Sequence, residues 1–96
     1  MTSTEYLSKK YGKQKYKGFL YLNHILSNLE KNIPLSQDDF MVSLMFKEVA
    51  KEFSTTSNAV ERNINTFKNK VKYEDTLKNF IFENIYEYIV LRDSKN

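Results

Sequence analysis

Apolar residues recur along much of this chain at spacings of three and four, the period of a helix packed on one side. The clearest case is Val60, Ile64, Phe67 and Val71, which predict a helix over about 57–72 with a single apolar stripe. At about 100° per residue, the opposite face carries Asn58, Arg62, Asn65 and Asn69, with Glu61 on the flank. Just upstream, Val49, Ala50 and Phe53 mark one side of another helix. Ala50 is small, as a close helix crossing requires. Ser54, Thr55 and Thr56 interrupt the pattern as a turn, and Thr56 or Ser57 is suited to cap the second helix by accepting a backbone N–H bond. A helix, a short polar turn and a second helix with two unlike faces is the layout of a helix-turn-helix, here over about 46–72.

The flanking segments are helical as well. Thr4 to Tyr11 reads as a short helix, capped by Ser3 or Thr4 and stopped by Gly12. A basic connector, Lys13 to Gly18, follows. Phe19 to Lys31 reads as a helix with Phe19, Leu22, Ile25, Leu26 and Leu29 inside, Ile33 extending the contact, and Tyr21, His24 and Asn28 outside. Tyr6, Tyr11, Tyr16 and Tyr21 recur every five residues, which fits neither helix nor strand. Pro34 breaks the chain, and Ser36 starts the next helix with Asp38 and Asp39 in its first turn, in capping-box spacing. Phe40, Val42, Leu44, Met45 and Phe46 have poor periodicity and leave open one helix or two. The last helix is expected over about 75–92, with Leu77, Ile81, Ile85, Tyr88 and Ile89 inward. Phe80, Phe82, Tyr86 and Val90 widen its apolar arc beyond what one small core buries, which predicts a dimer interface. A strand pair over 80–91 is the alternative, since the stretch is rich in β-formers. The sum is an all-α, compact five- to six-helix domain spanning 1–96.

Composition narrows the chemistry. Among the 96 residues there is no cysteine, which removes disulfides and zinc fingers and fits a cytoplasmic location. No apolar run approaches the roughly 20 residues that span a bilayer, and the N-terminus does not read as a signal peptide. The net charge of +3 is segregated. Residues 1–18 carry five Lys and one Glu, and residues 54–73 carry four basic groups and Glu61, whereas both remaining stretches are net acidic. Two basic blocks on an acidic body suit a protein that lays two elements on a phosphate backbone. His24 has no acid or cysteine partner at a known spacing, and Asp38 and Asp39 point about 100° apart on a helix. No nucleotide-binding glycine loop occurs. The expectation is a protein that is not an enzyme, with no cofactor, no metal, no small-molecule substrate and no membrane association.

The outward residues of the second helix are of base-reading types. Arginine grips guanine O6 and N7 with two bonds, asparagine does the same to adenine N6 and N7, and glutamate accepts from cytosine N4. The expected base-reading set is Asn58, Glu61, Arg62, Asn65 and Asn69, with Glu61 alternatively holding Arg62 in place. The expected phosphate set is Lys9, Lys10, Lys13, Lys15, Lys17, Thr55, Thr56, Ser57, Lys68, Lys70 and Lys72. The bland alternative is a solvated polar face. Double-stranded DNA is the expected partner, with a homodimer in solution or on tandem sites.

Two segments taken together resemble a known family. Lys17, Gly18, Phe19, Tyr21 and Leu22 match the Lys-Gly-Tyr-x-Tyr-Leu opening of a helix. Val49, Ala50, Phe53, Thr55, Thr56, Val60, Glu61, Arg62 and Ile64 match a block that runs across a helix-turn-helix. Both belong to the C-terminal DNA-binding domain of the sporulation initiation response regulator, the stage-zero sporulation protein A. The resemblance covers roughly residues 5–72. It implies an all-helical domain that binds short DNA boxes, often as a tandem pair, with Glu61 and Arg62 placed to meet bases. The family's Arg after the Ile is Asn65 here, so the box read is expected to differ at that base. The family's Pro is Lys47, and the match fades after Lys72. A 96-residue chain leaves no room for a receiver domain, so the reading head alone is expected. The function implied is sequence-specific transcription regulation. The alternative is a phage- or plasmid-encoded protein-binding module that reuses the fold to inhibit a host enzyme such as a CRISPR nuclease. The basic reading helix speaks against that alternative, because such inhibitors often mimic DNA with acidic surfaces.

Overall fold

Five α-helices appear in the computed structural model, which describes residues 1–13, 15–30 and 37–94; no strand occurs among the described residues. They are α1 (Ser3–Tyr11), α2 (Lys17–Ser27, continuing as a 3-10 turn over Asn28–Glu30), α3 (Asp39–Glu52), α4 (Ser57–Lys70) and α5 (Leu77–Asp93). The strand pair weighed over 80–91 gives way to α5. Ile33, Pro34 and Ser36 lie outside the described residues.

Side-chain caps set most of the helix starts. Thr2, not Ser3 or Thr4, caps α1 by accepting from the Glu5 N–H at 3.1 Å. Asp38 caps α3 by accepting from Met41 N–H at 2.8 Å, which puts Asp39 at the head of that helix. Thr56 caps α4 and Thr76 caps α5, each accepting at 3.1 Å. Such a cap contributes about 1 kcal/mol. Gly12 stops α1 with φ 77°, a left-handed value that glycine reaches without strain. The ends of α3 and α4 make the same left-handed exit with Ser54 (φ 53°) and Lys72 (φ 62°). In both, the next N–H returns to the third carbonyl from the helix end, Thr55 to Ala50 at 2.9 Å and Tyr73 to Lys68 at 3.2 Å.

One unbroken α3 explains the poor periodicity upstream of the turn. Val42, Phe46, Val49 and Ala50 face inward, whereas Phe40 is 71% exposed and Leu44 is also outside. On α4, Val60, Ile64 and Phe67 are fully buried, chiefly against α2 and α3, and Val71 is half-buried. Burial of such side chains contributes about 1.5–3 kcal/mol each. The Phe67 ring meets Tyr11, Phe19 and Phe80 edge-on or nearly so. Gly18 lets α2 approach α4 closely. A Cβ there would lie 2.2 Å from the Asn63 carbonyl oxygen and 2.6 Å from Phe67 Cβ.

Two expectations about facing need correction. Tyr21, expected outside, is buried, with its ring on Phe53 at 5.2 Å, because α3 ends against that side of α2. The interface expected on α5 is largely internal. Phe80 is 0% exposed and Phe82 2%, and Tyr86 stacks on Phe82 half-buried. Of the four residues only Val90 is mainly exposed, at 65%. The helix is covered on more than one side by its own chain. α1 supplies one cover through Tyr6, whose ring lies 5.6 Å from Tyr88. Buried Asn84 ties the layers together. Its Oδ1 accepts from the hydroxyls of Tyr6 (2.9 Å) and Tyr11 (3.0 Å), and its Nδ2 donates to the Phe80 carbonyl at 2.8 Å. Burial pushes the pKa of both tyrosines up.

Candidate nucleic-acid interface

The apolar stripe of α4 fixes the orientation of everything opposite it. With Val60, Ile64 and Phe67 locked in the core, Asn58, Glu61, Arg62, Asn65 and Asn69 are all exposed. Among the described residues none of these five side chains makes a hydrogen bond or ion pair, so Glu61 does not hold Arg62. Their neighbours behave otherwise. Asn63 Nδ2 donates to the Ala59 carbonyl at 2.7 Å, and the Thr66 hydroxyl donates to the Arg62 carbonyl at 2.9 Å. The five candidates thus form a polar strip with open hydrogen-bonding groups on a rigidly mounted helix. That arrangement is able to pair with the edges of bases.

The turn supplies the N-terminal end of the strip. The Thr56 hydroxyl is engaged as the α4 cap, and the Thr55 N–H closes the end of α3. Thr55 and Ser57 are half-buried at the helix start, where the first N–H groups of α4 point outward and favour an anion.

The structure divides the basic candidates. Lys9, Lys13, Lys15, Lys17, Lys70 and Lys72 are exposed and form no ion pair among the described residues. Lys10 is different. Its Nζ lies 2.6 Å from Glu87 Oε2 and 3.3 Å from the Tyr6 hydroxyl, over the rings of Tyr6 and Tyr11. Burial lowers its pKa, but Glu87 and the two tyrosines outweigh that and hold it above the usual lysine range. Lys10 straps α1 to α5 and is removed from the phosphate set. Lys68 is removed as well, because its Nζ donates to the carbonyls of Asp75 (2.9 Å) and Tyr73 (3.4 Å), holding the α4–α5 turn.

Two residues gain a role that their positions in sequence did not give them. Lys70 Nζ lies 5.5 Å from the centre of the Tyr16 ring, which joins the α1–α2 connector to the end of α4. Gly18 sets the depth at which α2 meets that helix. An aromatic residue inside a lysine run was the available signal for Tyr16. His24 packs its ring edge-on to Phe53 at 5.5 Å and sits 2.9 Å from Asn28 Nδ2.

Among the described residues a shallow cleft of about 280 Å³ is lined by Gln37, Tyr73, Asp75, Asn79, Phe82, Glu83 and Tyr86, none of them on α4. The Tyr73 hydroxyl donates to the Glu83 carboxylate there, which pushes the Tyr73 pKa up to about 12. Among the described residues no group of three or more His, Cys, Asp or Glu is placed to hold a metal ion, and no helix is long and apolar enough to cross a membrane.

Comparison with curated proteins and with solved structures returns no match. The model of one family, described as sporulation initiation factor Spo0A, C terminal, matches residues 4–90. The match continues past Lys72, where the motifs read from sequence fade, and takes in α5 as far as Val90. With the open polar face of α4 at its centre, and matched over nearly its whole length, this chain belongs to the family of Spo0A C-terminal domains, which are DNA-binding effector domains and not catalytic ones.

Proposed function

We propose that the chain is a sequence-specific regulator of transcription that reads double-stranded DNA, with α3, the turn and α4 acting as a helix-turn-helix. The observation that carries this reading is the strip Asn58, Glu61, Arg62, Asn65 and Asn69, exposed and without internal partners on a helix whose other side is wholly buried. α4 enters the major groove with Arg62 central, α3 crosses the backbone, and the outward N–H groups at the start of α4 meet a phosphate. Asn65 stands where the family motif has Arg, and its shorter amide suits adenine where a guanidinium suits guanine. Two copies on adjacent boxes are the expected working form, since one such helix covers only a few base pairs. The cytoplasm is the compartment in which that partner is met.

The test is selection from random duplex DNA at two salt concentrations. Enrichment of one short motif, with affinity that falls as salt rises, is the expected result. Binding without any motif reduces the reading to a non-specific one, and no binding at low salt ends it.

A further inference from the structure

The α1–α2 connector is pinned at both ends to the same stretch of α4. The Tyr11 ring, closing α1, lies 5.5 Å from the Phe67 ring, and Gly18, opening α2, abuts the Asn63 carbonyl and Phe67 Cβ. Between them Tyr16 lies against Lys70, in the C-terminal half of α4. Lys13, Lys15 and Lys17 are exposed on the connector. None of Lys13, Lys15, Lys17 and Lys70 forms an ion pair among the described residues. Two basic blocks far apart in sequence thus meet in space where Tyr16 lies on Lys70.

The patch lies beside the polar strip. At about 100° per residue, Lys70 projects on the flank of α4 that carries Thr66 and borders Arg62. It also lies at the far end of the helix from the turn. The 14 residues of α4 at about 1.5 Å each span about 20 Å, so a phosphate met at its C-terminal end is a different one from the phosphate met at the turn. The contact with the Tyr16 ring restrains the Lys70 ammonium before any ligand arrives.

We infer that Lys13, Lys15, Tyr16, Lys17 and Lys70 form a preassembled phosphate seat that grips the DNA backbone at the C-terminal end of α4, apart from the phosphate met by its N-terminal end. This inference rests on the DNA-reading function proposed above and specifies a second backbone contact at the far end of the helix.

Neutral methylphosphonate linkages, placed singly along each strand of the selected duplex, test it. The parent should lose affinity at two or more separate clusters of positions. Lys70→Ala should become insensitive at one cluster only, with the others unchanged. A fourfold rise in salt should cost the parent about three- to fourfold more in affinity than it costs Lys70→Ala, the expectation for one lost contact. Tyr16→Leu should weaken the same cluster, while Tyr16→Phe and Lys70→Arg keep it. A parent-like map for both Lys70→Ala and Tyr16→Leu overturns the seat while leaving DNA reading intact, and so does a loss spread evenly over all clusters in variants that melt like the parent. A parent that binds no duplex defeats the underlying reading and the seat with it.

Discussion

Replacing Gly18 with alanine probes the contact on which the orientation of α4 depends. The added Cβ would sit 2.2 Å from the Asn63 carbonyl oxygen, 2.6 Å from Phe67 Cβ and 2.9 Å from the Asn63 carbonyl carbon. Two of these three atoms are backbone, so no side-chain rotation relieves the overlap. Ordinary contact distances of about 3.5 Å require α2 and α4 to part by roughly 1 Å. That separation would loosen the Phe19–Phe67 edge contact and the packing around Leu22 and Ile64. Overpacking of this kind costs about 1–3 kcal/mol. Helix propensity acts in the opposite sense, with alanine favoured over glycine by up to about 1 kcal/mol in a helix interior. Gly18 is only the second residue of α2, so less than that is recovered. The net loss expected is about 1–2 kcal/mol, or roughly 5–15 °C in melting temperature for a domain of this size. Thermal unfolding followed by circular dichroism measures it, with Leu20→Ala on the exposed side of α2 as a control expected within about 0.5 kcal/mol. A Gly18→Ala protein that melts at or above the parent temperature would refute the close approach of the two helices.

Four other outcomes are expected. Arg62→Ala should cost about 1–3 kcal/mol at one base pair of the selected site and relax selectivity there, measured by competition with single-base variants; unchanged selectivity removes Arg62 from the base contacts. Asn65→Arg should move the preference at one position toward guanine, and identical selected motifs for parent and variant would show that residue 65 does not reach the bases. Lys72→Gly should stabilise the fold by about 0.5–1 kcal/mol, because it relieves a left-handed backbone at φ 62°, while lowering the salt slope of DNA binding by about one if Lys72 meets a phosphate; a lower melting temperature contradicts the strain argument. The last concerns Tyr73, whose pKa is raised to about 12 in the folded chain by its bond to Glu83, against an ordinary value near 10. The unfolded chain ionises first, so stability should fall as pH rises from about 10 through 12. Tyr73→Phe should flatten part of that slope, the remainder coming from buried Tyr6 and half-buried Tyr11.

The exposed polar face of α4 was legible in sequence for a physical reason. A single stripe at Val60, Ile64 and Phe67 fixes which side of a helix is buried, and the composition of the other side follows without knowledge of what covers the stripe. The same logic found the inner face of α2 and the turn after Phe53. What periodicity does not carry is the destination of a long charged side chain. Lys10 and Lys70 sit in equally basic surroundings along the chain, yet one is 2.6 Å from Glu87, far away in sequence, and the other lies on Tyr16. Charge counting treats the two alike, because the acid or ring that claims each ammonium arrives only with the tertiary fold.

The C-terminal helix shows the limit most plainly. Apolar residues spread around α5 on more than one side, and a sequence records that spread without recording what covers it. A partner subunit and the protein's own first helix leave the same trace. Here the cover is internal. α1 packs across α5 through Tyr6 and Tyr88, the two Asn84-bound tyrosine hydroxyls lie inside the same contact, and Lys10 closes its edge on Glu87. The clue lay in the polar residue and not in the apolar ones. An asparagine in the middle of a wide apolar arc is stable only if the fold supplies donors for its oxygen. Two tyrosines five residues apart on the first helix do so. A spacing of five, meaningless as a period, becomes a pair of donors once one acceptor lies between them. Asn84→Leu should therefore remove the acceptor of the buried Tyr6 hydroxyl and of the half-buried Tyr11 hydroxyl and destabilise the α1–α5 contact by about 1–3 kcal/mol, despite its greater hydrophobicity. Combining it with Tyr6→Phe and Tyr11→Phe should recover much of that loss. Additive losses across the three substitutions in denaturant unfolding would show that the network does not act as a unit.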